Sequence, residues 1–273
     1  MERTGAGAST DAGVPDVAEL LDGLPRQRGP LGAATAPRLE PVLGPVLGDT
    51  PAPTARPLRP RLHPWRLLPT PTGTPFTFSY AAVLTVTSLI AAYADPALVH
   101  TLLQGSSTDV AHLVRVPALV LPASALWVAG GPGSPYAIGF LLVLTALERR
   151  IGGLRTAGVF LLGHVLATLA TEVPVGLAVL AGHLPDSSLH RLDYGISFGV
   201  AASTGALAGL LRPWLRWPVL AAVVGTLLQD LAEFTDPMTD WGHLLSLAVG
   251  VATWPLVRSW HTSRAAAPGP SGV

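Results

Sequence analysis

The sequence predicts an all-α, polytopic membrane protein: a six-helix bundle preceded by a disordered N-terminal tail. Three observations carry that prediction. Only 12% of the 273 residues are charged and 49% are hydrophobic, with a mean hydropathy of +0.46, whereas a soluble domain carries about 25% charged residues. The 19 charged side chains after residue 75 sit in clusters with long uncharged stretches between them. The clusters also differ in sign, with arginines gathering in alternate gaps.

The tail comes first. Fourteen of the 27 prolines lie in residues 1–75, among Gly, Ala and Thr with no apolar period. Prolines at that density break helices and cannot donate to a sheet, so this segment reads as disordered. It lacks the basic start and apolar run of a secretory signal. Arg59, Arg61 and Arg66 make its end basic, as in a juxtamembrane segment on the cytoplasmic side.

The apolar stretches follow in order: Phe76–Ala94, Val116–Leu147, Thr156–Thr171, Tyr194–Leu211, Trp217–Gln229 and Trp241–Val257. A helix needs roughly 20 apolar residues to cross a bilayer, with about 17 tolerated. The first, fourth and last stretches meet that outright. The second is too long for one crossing, and Gly130-Gly-Pro-Gly-Ser-Pro135 divides it. It reads as an embedded loop over Val116–Val128 and a span over Tyr136–Ile151. The third can run past Glu172 to Leu180, and the fifth borrows Asp230 to Phe234 at its outer end. Domain limits are therefore 1–75 for the tail, 76–260 for the membrane domain and 261–273 for a short disordered end.

Orientation follows from the arginines. With the tail inside, Arg149, Arg150, Arg155, Arg212, Arg216, Arg258 and Arg264 face the cytoplasm, and only Arg115 and Arg191 face out. A seven-to-two split is the positive-inside pattern, which puts both termini in the cytoplasm and the bundle in the plasma membrane. The lipid bilayer is the first expected partner. Every basic residue is Arg, and 17 basic residues balance 17 acidic ones. Zero net charge removes the electrostatic case for nucleic acid. Without cysteine there is no disulfide framework and no thiol nucleophile. No phosphate loop and no haem or flavin motif is present, so no cofactor or metal is expected.

Gly195-Ile-Ser197-Phe-Gly199 matches the Gly-x-Ser-x-Gly string of a nucleophile elbow. That elbow needs a strand before the serine, whereas here a membrane span follows it. The string reads instead as part of a small-residue face, Gly195, Gly199, Ser203, Gly205 and Gly209, that lets helices approach closely. His243 opens the last span on a face that also carries Ser246 and Gly250. An ionisable residue inside a span is a functional-site hypothesis by default, beside the plainer reading of an interfacial histidine bonded to a loop carbonyl. Ser197 and His243 both lie at the outer ends of their spans, and a serine with a histidine base is the minimal nucleophile arrangement. His164 in the third span reads as a packing histidine with Thr168 one turn on. Asp230, Glu233, Asp236 and Asp240 read as solvated acids at span ends.

Over about residues 76–260 the chain resembles the rhomboid intramembrane serine proteases, and more closely their actinobacterial-type rhomboid-like relatives. Leu147-Glu148-Arg-Arg-Ile-Gly152 is similar to the signature at the inner end of the second span. Asp193-x-Gly195-x-Ser197 resembles the nucleophile motif, and Gly242-His243 with Ser246 and Gly250 resembles the histidine motif of the sixth span. Ser106-Ser-Thr-Asp-Val110, leading to Pro117 and Ser124-Ala-Leu-Trp127, is similar to the rhomboid-like first loop.

The resemblance implies a six-helix rhomboid-like bundle with Ser197 as nucleophile and His243 as base. Tyr136, Gly195 and Gly199 would support the oxyanion side, while Glu148, Gly152 and Gly250 are structural signature positions. Partners would be transmembrane segments of other proteins. Phe198 replaces the glycine that follows the serine in the proteases. Counting back from Glu148, their oxyanion-binding His and Asn fall near Pro132 and Tyr136. Losing one oxyanion donor costs about 10²–10³ in rate, so slow or absent proteolysis is expected, with Ser197 Oγ and His243 within about 3–4 Å. The alternatives are a rhomboid-like pseudoprotease that binds membrane helices, and a small transporter using Glu172, His164 and the outer carboxylates.

Overall fold

The computed structural model describes residues 67–266. The expected tail, up to residue 66, and residues 267–273 lie outside the described residues. Every regular element among the described residues is helical, in the order α1 (Pro75–Tyr93), α2 (Pro96–Gly105), α3 (Val110–Arg115), α4 (Pro117–Ser124), α5 (Pro135–Gly139), a π turn (Phe140–Leu144), α6 (Thr145–Ile151), α7 (Gly153–Leu180), a 3₁₀ turn (Asp186–His190), α8 (Ser197–Ala208), α9 (Pro213–Glu233), α10 (Pro237–Ala252) and α11 (Trp254–Ala266). By length and composition α1, α7 and α9 are long and apolar enough to cross a membrane, and α8 is a shorter apolar helix.

Local chemistry sets many of the starts. Asp95, Ser134 and Asp236 each precede a proline, and their side chains accept from Ala97 N–H, Ala137 N–H and Thr239 N–H. The acceptor satisfies an orphan donor of the first turn, while proline at the first helical position loses nothing and presets φ. Helix α1 is different. Thr74 offers no side-chain cap, and Glu148 of α6 supplies it instead, accepting from Phe76 N–H at 3.0 Å, Thr77 N–H at 2.8 Å and Thr77 Oγ1 at 2.7 Å. The chain then reverses at Gly152, whose φ of 91° suits glycine.

Three expectations are corrected. The expected loop over Val116–Val128 contains helix α4. The fourth stretch is helical for only 12 residues, because 191–196 is an extended segment tied to the loops before it. The last stretch is two helices, broken at Thr253, and α11 continues to Ala266, past the expected boundary at 260. The third stretch does extend to Leu180.

Helix α8 is buried all round, with Ala202, Ser203 and Ala206 fully enclosed between α7 and α10. Small residues permit that approach. Gly163 of α7 faces Ala202, and Gly250 of α10 faces the Ala202 backbone. Gly205 faces the Leu247 carbonyl, and Ser246 Oγ donates to the Phe198 carbonyl. The expected pairing of α8 with α10 is present through Ser246 and Gly250 as expected, but not through Gly195 and Gly199. Gly199 faces the Phe160 ring of α7, and Gly195 precedes the helix beside Ala129.

Large apolar side chains remain exposed along α1, α7 and α9, among them Val86, Leu89, Leu161, Leu166, Val173, Leu177 and Leu228. In water such a surface would aggregate; in lipid it is the expected exterior. The protein is a helical membrane bundle.

Candidate active site

The segment that delivers Ser197 is held from below by the loop between α2 and α5. Thr108 N–H donates to the Asp193 carbonyl at 2.8 Å and Thr108 Oγ1 to Asp193 Oδ2 at 2.9 Å, while Asp193 N–H donates to Ser107 Oγ at 3.0 Å. Gly195 N–H donates to the Ser124 carbonyl at 2.9 Å and Ile196 N–H to the Trp127 carbonyl at 3.1 Å. Trp127 in turn donates from its indole N–H to Ser106 Oγ at 2.8 Å. The turn at Gly195 has φ of 130°, which excludes side chains with a Cβ at ordinary strain. Burial holds the Asp193 carboxyl above the usual carboxylate range, with the Arg191 charge and the Thr108 hydrogen bond opposing that rise. Segment and helix together fix Ser197 at the first position of α8.

His243 comes from the second turn of α10 and is buried. Tyr136, the second residue of α5, stacks on its ring at 4.9 Å between centroids, 23° from parallel, and the tyrosine hydroxyl lies 3.2 Å from His243 Nδ1. Phe198 meets the other side edge-on, at 5.3 Å and 73°. Its ring packs on Gly242, so the residue that replaces the expected glycine forms a wall of the site. His243 Nε2 is buried with no hydrogen-bond partner.

Ser197 and His243 line one cavity of about 270 Å³, together with Tyr136, His164, Asp193, Gly195, Phe198 and Asp236. No hydrogen bond joins Ser197 to His243. The two expected residues line one cavity, with the Tyr136 hydroxyl at Nδ1 of the imidazole and Nε2 left without a partner. At the mouth of α8, neither a capping side chain nor a backbone carbonyl takes the N–H groups of Ser197, Phe198 and Gly199. Donors at a helix N-terminus are suited to hold a developing negative charge. Pro132 is elsewhere, lining a lateral groove with Leu84, Ser88 and Leu141 between α1 and α5. The Tyr136 hydroxyl is engaged by His243.

Two features go beyond what the sequence suggests. His164 lines the same cavity, and its partner is not Thr168: Nε2 lies 3.0 Å from Ser124 Oγ and 3.0 Å from the Leu121 carbonyl. Thr168 Oγ1 and His164 Nδ1 have no partner. The other is Arg191, which forms an ion pair with buried Glu172 of α7 and reaches Asp236 at 3.3 Å and Thr239 Oγ1 at 3.4 Å at the start of α10. Its only mark in the sequence is that it is one of two arginines on the acidic side. Glu172 thereby pairs with Arg191 through Oε1, while its buried Oε2 has no hydrogen-bond partner. Among the described residues no three His, Asp or Glu side chains are grouped to hold a metal.

A family model described as Rhomboid-like protein matches residues 72–263. No curated protein and no solved structure matches the chain.

Proposed function

The chain belongs to the rhomboid-like protein family, and from that premise we propose that it is a six-span plasma-membrane protein with a slow serine nucleophile acting on transmembrane segments of other proteins. The spans are α1, the α5–π–α6 helix, α7, α8, α9 and α10. The arginine split supports a cytoplasmic location for both termini. Reporter fusions after Thr74, Arg155, Arg216 and Arg264 are expected to read as cytoplasmic, and fusions near Ser106, Ser187 and Asp236 as external. Cytoplasmic signals from Ser187 and Asp236 would overturn both the span count and the location of the site.

The length of α8 supports a site within the membrane. Twelve helical residues rise about 18 Å, against a hydrocarbon core of about 30 Å. A helix that short, anchored at its inner end, leaves Ser197 below the outer surface.

One observation carries the chemistry: Ser197 and His243 line a single cavity, and His243 keeps Nε2 buried and unpartnered. Closure of the Ser197 hydroxyl onto Nε2 would complete the nucleophile–base pair, and hydrogen bonds of this kind often close only when substrate binds. The serine oxygen would attack a peptide carbonyl carbon, its proton passing to His243 Nε2, with the oxyanion held by the free N–H groups that open α8. Collapse would break the C–N bond, the amine leaving with the proton from Nε2, and water would then release the acyl group from Ser197. Side-chain donors are missing, since Pro132 has none and Tyr136 is occupied. Two absent donors at about 10²–10³ each predict poor turnover.

The test is labelling of the purified full chain with a fluorophosphonate serine probe. Labelling is expected, and it should be abolished in Ser197→Ala and His243→Ala while folding is retained. Rapid cleavage of a transmembrane substrate would refute the slow-turnover reading. The unmade Ser197–His243 hydrogen bond favours a second reading, a pseudoprotease that binds membrane helices without cutting. Absence of labelling in the folded protein would overturn the first reading and leave the second standing.

A further inference from the structure

Residues 197–229 and 241–266 hold no carboxylate but contain Arg212, Arg216, Arg258 and Arg264. The fold brings Arg216 of α9 and Arg258 of α11 together at the C-terminal end of α8. Arg216 donates from Nε to the Ala208 carbonyl at 2.9 Å, and from Nη2 to those of Gly209 at 3.1 Å and Leu211 at 2.8 Å. Arg258 Nε donates to the same Gly209 carbonyl at 3.1 Å. Each guanidinium carbon lies 5.0 Å from the Trp254 ring centroid, and the Trp254 indole N–H donates to the Gly205 carbonyl at 2.8 Å. The carbonyls that end α8 are thus satisfied by cations and an indole, as the dipole favours.

These bonds fix both guanidiniums and leave donors over. Arg216 Nη1 and both terminal nitrogens of Arg258 have no acceptor among the described residues. Arg212, one turn before Arg216, is exposed, and its side chain makes no hydrogen bond or ion pair there. Carbonyl dipoles offset part of the repulsion between like charges, but among the described residues no carboxylate pairs with them. Trp217 packs on the Trp254 ring at 6.4 Å between centroids and is 60% exposed, and Trp214, two residues after Arg212, is 70% exposed. Exposed indoles of a membrane protein settle at headgroup depth, where the anions available are lipid phosphates.

We infer that Arg212, Arg216 and Arg258 form a binding site for the phosphate of an anionic phospholipid, bordered by Trp214 and Trp217. The lipid completes a charge cluster that the described residues leave without a carboxylate partner. Trp254 and the α8 carbonyls hold the cluster in a geometry ready for it. The site is independent of any chemistry at Ser197.

Native mass spectrometry of the detergent-purified full chain with phosphatidylglycerol, phosphatidylcholine or inorganic phosphate tests this. Phosphatidylglycerol is expected to bind tightest, with R212Q and R258Q each weakening it about fivefold, R258K retaining it, and inorganic phosphate failing to compete. Thermal unfolding separates binding from folding. Should R258Q lower the midpoint, R212Q, which breaks no contact, decides. Equal retention of the two lipids, or unchanged phosphatidylglycerol binding in folded R212Q, would overturn the proposal. Displacement by inorganic phosphate would overturn it in favour of a small-anion site.

Discussion

Gly250→Val is expected to unfold the bundle rather than merely to blunt the site. A Cβ at this position would overlap the Ala202 carbonyl oxygen, and would stand 2.8 Å from its carbonyl carbon and 3.0 Å from its Cα. Those are backbone atoms of a helix enclosed on all sides, so no rotamer change relieves the overlap. Either α8 and α10 separate, losing the Ser246–Phe198 hydrogen bond and the Gly205–Leu247 contact, or α10 turns and carries His243 from the cavity. Ordinary overpacking costs about 1–3 kcal/mol, occasionally more; a backbone clash between two central helices belongs at about 4 kcal/mol or beyond. Thermal unfolding in detergent checks it, with Gly158→Ala as control. Nothing lies within 4 Å of a Cβ at Gly158, and alanine there should be neutral or better by about 0.5–1 kcal/mol. A Gly250→Val protein as stable as the control would refute the close α8–α10 contact.

The second large effect is expected at Glu148. Alanine there strips the acceptor from Phe76 N–H, Thr77 N–H and the Thr77 hydroxyl in a buried place. Buried donors left unsatisfied cost about 1–3 kcal/mol each, so a loss of about 3 kcal/mol or more is expected. Glutamine keeps one amide oxygen and should lose less. The damage should be local. Helix α1 buries only Thr77 and Leu84, so its amides should exchange faster while those of α8 and α10 stay protected. A uniform rise in exchange across all three helices would show that Glu148 supports the whole bundle rather than the start of α1.

The contrast between these residues shows what the sequence can announce. Phe76–Ala94 and Tyr136–Ile151 are legible because charge and proline bound them, and the structure places helices over Pro75–Tyr93 and Pro135–Ile151. That α8 and α10 pack was also legible, from glycine and serine spacing. Which glycine meets which helix was not. A helix apolar on every side has no moment to point with, so Gly199 turning to Phe160 and Gly205 to Leu247 are decided by packing alone. Glu148 carries its signal in the motif, but its donors lie 71 and 72 residues away, beyond any periodicity. Tyr136 beside His243 followed from matching motifs and counting. Arg191 bridging Glu172 to Asp236 had no pattern to betray it, because ion pairs between loops and helices have no period.

The π turn at Phe140–Leu144 has an evolutionary consequence. Such a turn holds one residue more than the α-helix would place there, and each residue turns a helix by about 100°. Deleting a single codon within 140–144 would regularise the helix while Glu148 stayed docked under α1. Everything before the deletion would swing by that angle, taking the Tyr136 ring off His243. The imidazole would lose its orienting hydroxyl although every residue lining the cavity was still encoded. A lineage of this protein can therefore part Tyr136 from His243, or rejoin them, by a change in length alone.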